Sequence, residues 1–144
     1  MRKRWGLTAA LLALAGPVAA APLDGVWTGT YVCAQGVTAL DLFIATRPGA
    51  APSALFHFGD GSPARPEGCF AMQGAVNPGA LAFTATHWLL RPDGYVTVNL
   101  LGSVGAGGVY AGWVDGPGCT SFTLQRRAAA PLPKACRDRG APVS

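Results

Sequence analysis

Charge is scarce in this chain. Charged residues make up 12% of its 144 positions, and lysine is almost absent, occurring only as Lys3 and Lys134. The formal net charge of +4 comes from 11 basic and 7 acidic residues. Three of the basic residues (Arg2, Lys3, Arg4) stand in one N-terminal cluster, and the last stretch adds Arg126, Arg127, Lys134, Arg137 and Arg139. No basic face interleaved with aromatics is found elsewhere, so nothing points to nucleic-acid binding. Cys-x-x-Cys is missing, which argues against a redox motif or a zinc knuckle. The serines Ser53, Ser62, Ser103 and Ser121 stand in no nucleophile-elbow context. Gly105-Ala-Gly-Gly108 lacks the Lys-Ser/Thr ending of a phosphate loop and sits between strand-like runs. Neither the two histidines nor the carboxylates show metal-ligand spacing. No cofactor or metal is therefore expected, and the chain reads as a non-enzyme.

A convincing helical period is absent beyond the N-terminus. There, Leu7 to Ala15 is apolar but too short to span a bilayer. With the basic residues before it and Pro17-Val-Ala-Ala-Ala21 after it, residues 1–20 read as a signal peptide cleaved after Ala20. An uncleaved anchor is the alternative that the short apolar run disfavours. Removal of residues 1–20 leaves eight basic against seven acidic residues. The expected location is periplasmic or extracellular, with no transmembrane segment after signal removal. No cysteine follows the apolar run at the cleavage site, so no lipid anchor is indicated.

What the chain does have is glycine (20), proline (12) and four cysteines. Turn signals recur every ten or so residues, with short apolar runs between them, the pattern of an all-β sandwich or barrel. Eight strands are predicted: Gly25–Cys33, Thr38–Thr46, Ser53–Phe58, Cys69–Val76, Ala80–Leu90, Tyr95–Ser103, Val109–Asp115 and Cys119–Gln125. Leu40, Leu42 and Ile44 alternate with polar or outward positions, as do Val96, Val98 and Leu100. Arg91-Pro-Asp-Gly94 is a well-formed turn. Short connections favour an antiparallel eight-stranded up-and-down barrel over residues 21–127, and a β-sandwich is the alternative. Closure would remove the edge strands.

An even cysteine count in an exported chain implies two disulfides, each worth roughly 2–4 kcal/mol. In an eight-strand meander the end of the first strand and the start of the eighth share a rim. That favours Cys33–Cys119 and leaves Cys69–Cys136, reached by an extended Pro/Ala-rich tail that occupies residues 128–144. Four cysteines allow three pairings, and the other two stay open here. Residues beyond Cys136 are expected to fray.

Few residues suggest chemistry. His57 and Asp60 differ by three positions, so a strand would point them to opposite faces. The simpler reading is a surface histidine and a turn aspartate. Asp24, Asp93 and Asp115 also stand near turn glycines, while Asp41 and Glu67 look isolated. Trp27 is expected to fill the core, with Gly29 allowing close strand packing. Trp88 falls on the face of Thr84 and Thr86, opposite Leu81 and Phe83, so parity exposes it. Trp113 reads either way. Arg65, Trp88, Arg91 and Tyr95 are the candidate partner-binding residues of one rim.

Four segments together carry a resemblance: the strand-one run Trp27–Gly36, Gly68-Cys-Phe-x-Met-x-Gly74, Trp88-Leu-Leu-Arg-Pro-x-Gly-Tyr95 and Cys119-Thr-x-Phe-x-Leu-x-Arg126. They resemble an uncharacterised bacterial exported small β-domain, also found attached to caspase-like peptidases, over roughly Leu23–Arg126. The resemblance implies no activity and no catalytic residues. Secretion, a Tyr-x-Cys first strand and a small barrel are also loosely similar to periplasmic C-type lysozyme inhibitors. Their Ser-Gly-x-x-Tyr loop has no match, since Gly59–Gly68 offers only Gly61-Ser62. The expectation is a monomeric barrel that binds an unknown protein partner or envelope ligand at one rim, with inhibition of a cell-wall hydrolase as the alternative.

Overall fold

The computed structural model describes residues 22–137. The expected signal peptide and the end beyond Arg137 lie outside the described residues. The fold is a closed antiparallel barrel of eight strands in chain order. They are β1 (Gly25–Cys33), β2 (Gly36–Ala45), β3 (Ser53–Phe58), β4 (Gly68–Asn77), β5 (Ala80–Leu90), β6 (Asn99–Val104), β7 (Val109–Asp115) and β8 (Ser121–Arg127). Closure comes from pairing of β1 with β8, with Val26 opposite Arg127 and Tyr31 opposite Phe122. The barrel thus prevails over the sandwich.

Alternation explains the wall. Leu40, Leu42 and Ile44 of β2 turn inward, as do Phe56 and Phe58 of β3, Phe70 and Met72 of β4, and Phe122 and Leu124 of β8, and all are buried. Trp27 is 2% exposed, donates its indole N–H to the Leu23 carbonyl, and meets the Tyr110 ring edge-on. It fills the end of the barrel away from the cysteines. At Gly29 a Cβ would overlap the Thr123 carbonyl of β8, so the seam between the first and last strands needs glycine there.

Both disulfides form as ranked, Cys33–Cys119 and Cys69–Cys136. They fit a protein that lives outside the reducing cytoplasm. Among the described residues no helix is long and apolar enough to cross a membrane. Cys33–Cys119 ties the end of β1 to the chain two residues before β8. The tail passes the outer face of β1 and β2 near Thr28 and Phe43, then reaches a 3-10 turn at Lys134–Cys136. There Ala135, Cys136 and Leu132 cover Leu55, Cys69 and Leu90, a small apolar cluster on the outside of the wall.

Two elements depart from expectation. The sixth strand starts at Asn99 and not at Tyr95, so residues 95–98 run outside the ladder. Only three residues of β5 pair with β6, from Leu81 opposite Gly102 to Phe83 opposite Leu100. Above them the Asn99 side chain takes over: its Oδ1 accepts the Ala85 N–H at 2.9 Å. The second departure is in β5, whose register against β4 shifts twice, between the partners of Cys69 and Phe70 and between those of Ala71 and Met72. Each shift inserts a residue, and an inserted residue reverses the facing of those that follow.

Candidate functional site

The rim that carries Cys33–Cys119 is where the barrel is not filled. A cavity of about 280 Å³ opens there. It exists because the chain from Gly94 to Val98 leaves the wall instead of extending β6. Tyr95 lies across the opening, stacked on Phe58 with centroids 5.5 Å apart and planes at 19°. Val98 is buried below it, while Val96 stands 56% exposed at the lip. Phe56 and Phe70, stacked at 4.5 Å and 11°, line the cavity from deeper in the barrel. Cys33, Cys119 and Pro117 complete the opposite side.

Polar groups gather at one end of this cavity. Tyr31 is inward on β1, and its hydroxyl accepts a hydrogen bond from Gln35 Nε2 at 3.1 Å. The same nitrogen donates to Thr38 Oγ1 at 3.3 Å, and Thr38 donates its only proton to the Gly36 carbonyl. Burial, with the nearby Tyr95 phenol adding to it, holds the Tyr31 phenol well above the usual tyrosine range. It is therefore a neutral hydroxyl. No lining side chain carries a charge at neutral pH.

The four expected rim residues divide. Trp88, Arg91 and Tyr95 come together: the Arg91 guanidinium lies 5.9 Å from the Trp88 ring centroid, and its Nε donates to the Tyr95 carbonyl at 2.9 Å. Strand parity places Trp88 outward; the insertion of Thr86, between the partners of Met72 and Ala71, turns it inward. It stands opposite Phe70 in the ladder and meets Phe70 and Phe58 edge-on at 5.1 and 6.2 Å. Trp88 thus backs two of the rings that line the cavity. Arg65 lies apart. It closes the tight Asp60–Arg65 loop, where Ser62 and Arg65 form a bridge, and its Nη1 reaches the Gln35 carbonyl at 3.4 Å. It steadies the turn that carries Gln35. In that loop the Ser62 hydroxyl and backbone N–H hold the Asp60 carboxyl below the usual carboxylate range.

Tyr31 and Gln35 were not among the expected site residues. Tyr31 was visible only as an inward strand position, and Gln35 only as part of a turn. A second missed arrangement lies on the outer wall. His57 is not a surface histidine: its side chain is 13% exposed, bonded through Nε2 to Glu67 at 2.8 Å, with Asp41 3.8 Å from Nδ1. Asp41 and His57 are cross-strand partners, which a register of β2 on β3 would have revealed. His87 sits exposed on the outside of β5, against the Thr86 hydroxyl. Trp113 is 60% exposed and pairs across strands with Leu101, itself 49% exposed, in an outward apolar patch.

No protein-family model, curated protein or solved structure matches this chain.

Proposed function

We propose that this is an exported, non-enzymatic binding protein whose ligand occupies the mouth of the barrel at the Cys33–Cys119 rim. One observation carries the reading: an uncharged cavity walled by aromatic rings opens where an eight-stranded barrel of this size is otherwise packed with side chains. An eight-stranded barrel is wide enough either to be filled by its own side chains or to hold one small ligand. Burying apolar walls under a ligand is favourable, and a disulfide at the opening lowers the ordering cost of binding. Tyr95 lines the opening and would contact what enters, while Trp88 backs its neighbouring rings and Arg91 holds the Tyr95 carbonyl from outside the cavity. The non-enzymatic part rests on the sequence, in which no catalytic motif is found. His57 bonds Glu67, and His87 sits against the Thr86 hydroxyl. Export rests on the N-terminal signal pattern and on the two disulfides.

Native mass spectrometry of the oxidised protein after exposure to an envelope extract tests this. Wild type is expected to retain a bound small molecule. An Ala34→Trp variant, which places an indole at the opening, is expected to lose it while keeping its near-ultraviolet dichroism. Absence of any adduct, or an adduct unaffected by Ala34→Trp, would remove the mouth as the binding site.

A further inference from the structure

The mouth also specifies what kind of ligand it takes, an inference that rests on the binding reading above. The orientation of the Gln35 carboxamide is set by its neighbours. Thr38 donates to the Gly36 carbonyl and accepts from Gln35, each at 3.3 Å. The Gln35 amide nitrogen faces Thr38 and also donates to Tyr31. This leaves one acceptor and one rotatable donor available to a ligand. Gln35 Oε1 accepts from no described residue, and the Tyr31 hydroxyl, which accepts from Gln35 and also neighbours Thr38, can turn its proton toward a ligand.

These two groups belong to directly bonded side chains at one end of the cavity, one donor beside one acceptor. The complementary ligand edge is a carbonyl beside an N–H: the carbonyl accepts from Tyr31 and the N–H donates to Gln35. The walls define the rest. Stacked pairs Phe56–Phe70 and Phe58–Tyr95 favour a flat, apolar body. The uncharged lining disfavours an ion, which would lose its hydration without a counter-charge. A volume of about 280 Å³ leaves room for one ring with a small substituent. We propose that the barrel mouth binds a small, uncharged, planar ligand bearing adjacent carbonyl and N–H groups: a ring carboxamide or a lactam.

Four probes of matched size separate the terms: benzamide (carbonyl and N–H), acetophenone (carbonyl only), cumene (neither) and benzoate (charged). Titrations of the full oxidised chain, followed by amide and aromatic NMR shifts at Tyr95, Val96 and Val98, give each dissociation constant. Tyr31→Phe is expected to weaken benzamide and acetophenone by about ten-fold, the effect of one hydrogen bond, and to leave cumene unchanged. Gln35→Leu is expected to weaken benzamide by a similar factor. Benzoate is expected to bind at least about ten-fold more weakly than benzamide, because its charge finds no partner. If both substitutions shift benzamide and cumene equally, or benzoate matches benzamide, the proposed class is wrong and the mouth binds by shape alone. If no probe moves the mouth signals, the binding reading falls with it. Thermal unfolding of both variants separates loss of the contact from loss of the fold.

Discussion

Tyr31 and Tyr110 are the two phenols that the barrel encloses, and both are held above their ordinary range by burial. Tyr110 also donates to the Leu81 carbonyl at 2.7 Å, joining β7 to β5 through the core. The sign of the linkage follows from the raised values. The folded state keeps these protons while the unfolded chain releases them near the ordinary value of about 10. Their stabilising contribution is complete below that pH and is lost progressively as pH rises above it. A spectrophotometric titration should show the Tyr31 and Tyr110 phenolates emerging together with loss of the near-ultraviolet dichroism. Phenolate signal from Tyr31 and Tyr110 without unfolding would contradict the enclosure. At this scale the sequence was a fair guide for inward positions such as Trp27, and a poor one for Trp88. Facing follows from counting by two, and an inserted residue in β5 breaks the count without leaving a mark in the local pattern.

The element that matters most is the short sixth strand. Val96, Val98 and Leu100 alternate well enough to predict a strand from Tyr95, yet the chain joins the ladder only at Asn99. Alternation reports a half-buried extended chain; it does not report whether a neighbour is there to pair with. The Arg91–Gly94 turn, together with the Arg91 bond to the Tyr95 carbonyl, leads residues 95–98 across the mouth instead. Asn99 then closes the seam, accepting from Ala85 and donating to Asp115 at 3.3 Å. Asn99→Ala should strand the Ala85 N–H and destabilise the protein by about 1–3 kcal/mol. Hydrogen exchange at Ala85 should quicken far more than at Leu81, which lies within the intact ladder. Uniform exchange along β5 would show that the seam is not a local weak point.

Across the whole molecule the two disulfides do different jobs. They span 86 and 67 residues of chain, so each restrains the unfolded state by about 4–5 kcal/mol in the chain-entropy account. Cys69–Cys136 fastens the tail to the outer wall, over a cluster separate from the main core. Cys33–Cys119 lines the mouth itself. Chemical denaturation should therefore show a loss for both Cys69→Ser/Cys136→Ser and Cys33→Ser/Cys119→Ser. Only the second variant should disturb the NMR signals of Tyr95 and Val98, and disturbance by the first would mean that the tail supports the mouth. By itself the sequence determined the class, the number of strands, their order and the ranked disulfides. Those follow from period-two alternation, turn residues and the simple geometry of a meander, all of which act between near neighbours in the chain. Only the tertiary structure decided the closed wall, the inward turn of Trp88, the His57 contacts with Asp41 and Glu67, and the cavity bounded by Tyr31, Gln35 and Tyr95. Each of these depends on register between strands distant in sequence. Register is set by the packing of the whole core, where one inserted or unpaired residue redirects every side chain beyond it.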